Sequence, residues 1–102
     1  MLVAIFRSRL RPNLGEDYQA CNKRMNEISR SLPGFISCKG FVANDGERLS
    51  IIEWESPEHF RAWVEHPEHL EVKERGRQDY YEDYTCYICD DPKVYGFSRD
   101  SD

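Results

Sequence analysis

Two cysteines stand as Cys86-x-x-Cys89, three histidines crowd one stretch at His59, His66 and His69, and Trp63 sits among the histidines. Thiolates three apart bind zinc or cycle a disulfide when a turn or helix start brings them together. Here they fall in the alternating stretch Tyr84-Thr85-Cys86-Tyr87-Ile88-Cys89, which reads as a strand, and strand residues three apart point to opposite faces. They are not expected to share a metal, and Cys21 and Cys38 stand singly on other elements. His66-Pro67-Glu68-His69 resembles a ligand pair, but Pro67 breaks the helix that would align two ligands on one face. At least two of the histidines are expected to be surface or capping residues. One remains a candidate general base, because imidazole titrates near neutral pH without help.

Trp63 shares a helical face with Phe60 and must point at whatever that helix packs on. A core role is the default for such a tryptophan. Its company adds a second reading: Arg7, Arg9, Lys39, Tyr80, Tyr81 and Tyr84 lie on or beside strands, as polar groups able to converge on an apolar cavity under the helix.

The elements that would position these groups follow from periodicity. Leu2 to Leu10 alternates as a strand, with Leu2, Ala4, Phe6 and Leu10 on one face and Val3, Ile5, Arg7 and Arg9 on the other. From Glu16 the period changes to that of an amphipathic helix carrying Tyr18, Cys21, Met25, Ile28 and Leu32, stopped by Pro33-Gly34. Phe35 to Ala43 and Arg48 to Glu55 read as a hairpin around Asn44-Asp45-Gly46. Ser56-Pro57 caps and opens a helix burying Phe60, Trp63 and Val64. Pro67 starts a further short helix, which Gly76 loosens or ends, and Tyr80 to Cys89 is the last strand. The order β-α-β-β-α-β predicts an α+β, ferredoxin-like split βαβ fold. Apolar groups occur on both faces of its strands, Phe35 and Phe41 against Ile36 and Val42, and Leu49 and Ile51 against Ile52 and Trp54. A second copy covering the outer face is the simplest explanation, so a homodimer is expected. Residues 1–92 are assigned to the domain and 93–102 to a tail. In the tail, Tyr95 and Phe97 are candidates for docking on a partner, and Ser98 to Asp102 is expected to be disordered.

A chain of 102 residues with net charge -5 and interleaved basic residues lacks the continuous positive footprint of a nucleic-acid binder. No run approaches the roughly 20 apolar residues of a membrane span. The short apolar N-terminus has no positive segment before it and no small-residue cleavage site, which predicts a cytoplasmic protein with reduced thiols. Six Tyr and five Phe exceed what a bare core needs and suit a planar ligand or an aromatic interface.

Over residues 2 to about 90 the chain resembles the antibiotic biosynthesis monooxygenase domain family. The resemblance rests on Val3-Ala4-Ile5-Phe6, Leu32-Pro33-Gly34-Phe35 and Ile51-Ile52-Glu53-Trp54 followed by Ser56-Pro57-Glu58. It continues through Phe60-Arg61-Ala62-Trp63 with His66-Pro67-Glu68-His69, then Tyr80-Tyr81 and Tyr84. It implies a dimeric α+β barrel with a pocket between helices and sheet, and for cofactor-free members a phenolic substrate whose anion reduces O2 directly, the resulting peroxide collapsing to a quinone. Trp63 matches the family's pocket tryptophan and would bind the ring. Arg7, Arg9 or Lys39 would favour the anion, and a nearby Tyr or His would take the proton. The substrate-facing set is then Phe6, Arg7, Phe60, Trp63, Tyr80 and Tyr81, with Trp63, His66, His69 and Tyr84 as candidates for the chemistry. The haem-degrading branch pairs that tryptophan with an asparagine and an iron-binding histidine. The corresponding positions here are Ser8 and Lys73, and lysine binds iron only when deprotonated.

Two readings follow. One is a cofactor-independent monooxygenase acting with O2 on a small aromatic or quinol-like compound, with no metal. The other is a non-catalytic small-molecule-binding or accessory dimer of the same fold, ahead of a haem-degrading or isomerase role. An enclosed pocket beneath Trp63 with a charged wall would favour the first, and a filled core there the second.

Overall fold

The apolar, β-branched run of the first segment, buried most at Leu2, Ala4 and Ser8, produces β1, Leu2–Leu10, and the helical stripe that follows produces α1, Glu16–Ser31. The positive φ of Gly34 (84°) turns the chain back into β2, Phe35–Val42, and Gly46 (φ 92°) closes the hairpin to β3, Arg48–Trp54. The Ser56 side chain accepts the His59 N–H and Pro57 occupies the first turn of α2, Pro57–Val64. His66 and Pro67 repeat that arrangement for α3, Pro67–Arg75. A π-helical turn, Gly76–Tyr80, leads into β4, Tyr81–Asp90. The computed structural model describes residues 1–99. Of the tail expected to be disordered, 98–102, residues 100–102 lie outside the described residues.

The strands form one antiparallel sheet in the order β2-β3-β1-β4, the ferredoxin-like arrangement. Cross-strand pairing sorts every side chain to a face. Leu2, Ala4, Phe6 and Ser8 of β1 share the inner face with Trp54, Ile52 and Ser50 of β3 and with Ile88, Cys86 and Tyr84 of β4. Buried Leu2, Ala4 and Trp54 form the centre of the core, and Leu32, Phe35, Ile52, Phe60 and Trp63 pack against them. On the outer face stand Val3, Ile5, Arg7 and Arg9, paired with Glu53, Ile51 and Leu49 of β3 and with Cys89, Tyr87, Thr85 and Asp83 of β4.

Two expectations are corrected. Phe35 and Phe41 do not share a face, because the β2 register shifts between Phe35 and Ser37. The extra residue, Ile36, leaves Phe35 inside and turns Phe41 outward opposite Leu49. Tyr80 does not open the last strand either. It closes the π turn and is buried, 2% exposed.

Candidate active site

The inner-face residues of β4, Asp90, Ile88, Cys86 and Tyr84, alternate along an edge strand that the helices leave partly open; Ile88 is 49% exposed. Under α2 this strip borders a groove of about 310 Å³, lined by Leu2, Phe60, Val64 and Ile88 with Arg61 and Asp90 as charged members. The volume reaches the lower end of small-molecule sites. Trp63 is not among the residues lining this groove. It packs against the core and stacks on His69, with ring centroids 4.1 Å apart and planes 12° from parallel.

That stack fixes the imidazole's protonation pattern. His69 Nδ1 lies 3.1 Å from the Trp63 carbonyl oxygen, and a carbonyl only accepts, so Nδ1 carries the hydrogen and Nε2 keeps its lone pair. Burial holds the ring below its ordinary value of 6.5, opposed by the backbone hydrogen bond to Trp63 and reinforced by the charge of Lys73. His69 is thus a neutral proton acceptor at pH 7. The other two histidines are engaged locally. His66 Nδ1 accepts the Glu68 N–H at 3.2 Å as the cap of α3, and His59 Nδ1 lies 2.7 Å from the Ser56 hydroxyl.

Farther along the inner face an aromatic floor forms. The Phe6 ring is 5.7 Å from Tyr81 and 5.4 Å from Tyr84, and Tyr81 and Tyr84 are 5.6 Å apart. Burial pushes the Tyr81 hydroxyl up to about 12, so it remains a donor. The Tyr84 hydroxyl accepts the Arg77 Nε–H at 2.7 Å.

The structure separates the residues singled out in the sequence. Trp63, His69 and Phe60 lie on the helical side of the inner face, and Phe6, Tyr81 and Tyr84 on its sheet side. Arg7 and Arg9 do not join them: they project from the opposite face, where Arg7 binds Glu47 through two nitrogens, each at 3.0 Å, and Arg9 binds Asp45 at 2.8 Å. Lys39 is on that outer face as well, opposite Ile51. Tyr80 is held in a knot between helices, donating to Asp17 at 2.8 Å, accepting from Arg75 at 2.8 Å and lying 3.4 Å from the Cys21 sulfur. The sequence reading missed Arg77 as a cation on this face, 5.9 Å from the Tyr84 ring centroid. The signal was present, since His69, Lys73 and Arg77 recur at four-residue steps. Cys86 and Cys89 sit on opposite faces of β4. Among the described residues, no group of three His, Cys, Asp or Glu side chains gathers around one metal position, and no helix is long and apolar enough to cross a membrane.

Comparison with known proteins places this geometry. The chain is 28% identical over 85 residues to the uncharacterized protein YqjZ of Bacillus subtilis (strain 168), covering 83% of this chain and 75% of that protein. Its fold superposes on SnoaB, a cofactor-independent oxygenase from Streptomyces nogalater, with a TM-score of 0.72 at 14% identity, covering 91% of this chain and 94% of that one. Rv0793 from Mycobacterium tuberculosis gives a TM-score of 0.73 at 16% identity, covering 98% of each chain. Residues 1–75, from the first strand through Trp63 and His69 to the end of α3, match the family model described as antibiotic biosynthesis monooxygenase. The chain belongs to the antibiotic biosynthesis monooxygenase family.

Proposed function

We propose that this protein is a cofactor-independent monooxygenase that converts a small phenolic or quinol-like aromatic to a quinone, using O2 and the groove between the helices and β4. The observation that carries this reading is the Trp63–His69 stack, which presents an unprotonated Nε2 beside an aromatic plane. The substrate ring lies over Phe6, Tyr81 and Tyr84, and Phe60 closes the α2 end. His69 Nε2 takes the phenolic proton. The electron-rich anion then reduces O2, a carbon–oxygen bond forms to give a peroxide, and O–O cleavage leaves the carbonyl. The leaving oxygen departs as water, taking the proton returned from His69 and the hydrogen of the oxygenated ring carbon, whose C–H bond breaks as the carbonyl forms. One O2 is consumed and one water released per quinone. General-base catalysis of this kind contributes ~10²–10⁴-fold.

The test is oxygen uptake on a panel of quinols and anthrones, with flavin and metal omitted. Uptake stoichiometric with quinone, reduced about 10²-fold or more in His69→Ala, is the expected result. A panel that binds but consumes no oxygen would overturn the oxygenase reading. It would favour a non-catalytic binding protein, a reading supported by Trp63 packing on the core instead of lining the groove, and by His66 and Tyr84 being engaged with the α3 cap and with Arg77 rather than with His69. A homodimer formed through the outer sheet face is part of the proposal.

A further inference from the structure

The last residue of β4, Asp90, belongs to the wall of the groove under α2, together with Phe60, Arg61 and Val64 of that helix. The chain leaves this wall at a fixed point. Asp91 takes a left-handed backbone (φ 51°) that breaks the strand, and its N–H donates at 2.8 Å to the carbonyl of Met1, the neighbour of the groove residue Leu2. Beyond that root the tail carries Val94, Tyr95 and Phe97, all exposed, with Tyr95 at 99%. Tyr95 thus touches almost nothing of its own chain. Phe97 has the Arg99 guanidinium carbon 5.2 Å from its ring centroid, a contact made inside the tail. The groove is open in turn, since Ile88 on its apolar wall is also exposed. Apolar side chains standing in water and an uncovered apolar groove therefore share one anchor.

We infer that this chain's own tail, residues 94–97, is a strap that closes over the groove once a planar aromatic lies in it, with Tyr95 and Phe97 covering the ring. The inference rests on the groove being the substrate site, and it deepens that reading by supplying the cover that keeps water from a reacting anion. Length permits closure. Fully extended, Tyr95 swings on about 14 Å of backbone from Asp91 and Phe97 on about 21 Å, both well beyond the span of a groove of about 310 Å³. Energetics make closure depend on the ligand. Ordering the tail costs backbone freedom that the groove walls alone do not return, and a bound ring adds the apolar surface on which both aromatic side chains pack. A partner subunit is the alternative resting place for such a tail, but a root on the wall of its own groove favours the groove of the same chain.

The experiment is limited trypsin digestion of the full chain with and without 2-naphthol, read by mass, because Lys93 puts a cleavage site between root and strap. Cleavage after Lys93 is expected to be fast without the probe and at least about 5-fold slower when the probe saturates. The double variant Tyr95→Ser, Phe97→Ser changes only exposed side chains. It should lose the protection and release 2-naphthol about 10-fold faster, with the melting temperature measured without probe unchanged. Disulfide trapping tells whose groove the strap covers. Val64→Cys combined with Tyr95→Cys, oxidised with the probe present, should cross-link within one chain, a product that Tyr95→Cys alone does not form. Cleavage at the same rate with and without the probe, protection that persists in the double serine variant, or a cross-link that joins two chains would overturn the inference. None of these readouts needs turnover. Strap closure without oxygen uptake sinks the oxygenase reading alone, and oxygen uptake with an unprotected tail sinks this one alone.

Discussion

At the scale of single residues, the acceptor on the Trp63 carbonyl decides what His69 can do, and burial decides when. A group whose folded pKa is depressed below 6.5 is neutral throughout the neutral range and takes up its proton only at lower pH. The acid limb of a kcat/KM profile for quinol oxidation is therefore expected to fall below pH 6.5, and to be absent from the residual activity of His69→Gln. The stability consequence has the same sign. The unfolded chain binds a proton at His69 near pH 6.5 and the folded chain only below it, so the stability held above pH 6.5 is lost as pH falls toward the folded value. Melting temperatures measured from pH 7.5 to 5 should drop more steeply for wild type than for His69→Gln; parallel curves would mean that His69 is solvated and no poised base. Much of this was legible beforehand. Trp63 and His69 are visible as residue types, and alternation had already put Phe6 and Arg7 on opposite faces of β1. Adjacent strand residues do not line one pocket, so only one of them belonged in a site, and periodicity alone does not say which face the helices cover.

At the scale of elements, the turn before β2 and the start of α2 hold the helical layer on the sheet. The Gly34 carbonyl accepts the Glu55 N–H at 2.8 Å, and the Ser56 hydroxyl both accepts from the His59 N–H and meets His59 Nδ1. A Cβ at Gly34 would fall on the His59 ring, in addition to the left-handed backbone (φ 84°) that disfavours any side chain. Gly46 shares the positive φ (92°) but faces open space. The pair separates strain from overlap. Gly46→Ala should cost about 1–2 kcal/mol from backbone strain alone, and Gly34→Ala about 3 kcal/mol or more as displaced His59 loosens α2. Equal losses in chemical denaturation would show that the His59 contact yields without cost. The motif Pro33-Gly34 announced this turn in the sequence, and the boundaries of β2, β3 and β4 fall within one residue of expectation. The Ile36 bulge and the π turn were not legible. Each inserts a local irregularity whose cause is tertiary: one keeps Phe35 against Trp54, with ring centroids 5.5 Å apart, and the other delivers Tyr80 to Asp17 and Arg75.

At the scale of the whole molecule, the outer sheet face is the surface through which we propose that the dimer forms. Paired positions place Tyr87, Ile5 and Ile51 in one row across β4, β1 and β3, and Leu49 and Phe41 in the next across β3 and β2. Phe41 and Tyr87 are each 47% exposed and Ile51 37%. An apolar belt of this kind on an otherwise charged small domain marks a surface that another molecule covers. Of the charges on this face, Arg7 is paired with Glu47 and Arg9 with Asp45, so covering the belt does not strand them, and the Lys39 ammonium lies 5.6 Å from the Phe41 ring centroid. A self-complementary face closes on a two-fold axis, and such dimers are the commonest assembly of soluble chains. Light scattering after gel filtration should therefore give twice the 12.1 kDa chain mass. The melting temperature should rise with protein concentration, because the dimer draws on folded chains only. Ile51→Lys places a charge in the middle of the belt without disturbing the inner core, and should shift the mass to that of one chain while leaving the far-ultraviolet circular dichroism spectrum intact. A wild-type mass of 12.1 kDa across micromolar concentrations would rule out the dimer. A dimer unaffected by Ile51→Lys would move the interface elsewhere, to a region such as the tail, where Val94, Tyr95 and Phe97 stand 72%, 99% and 81% exposed.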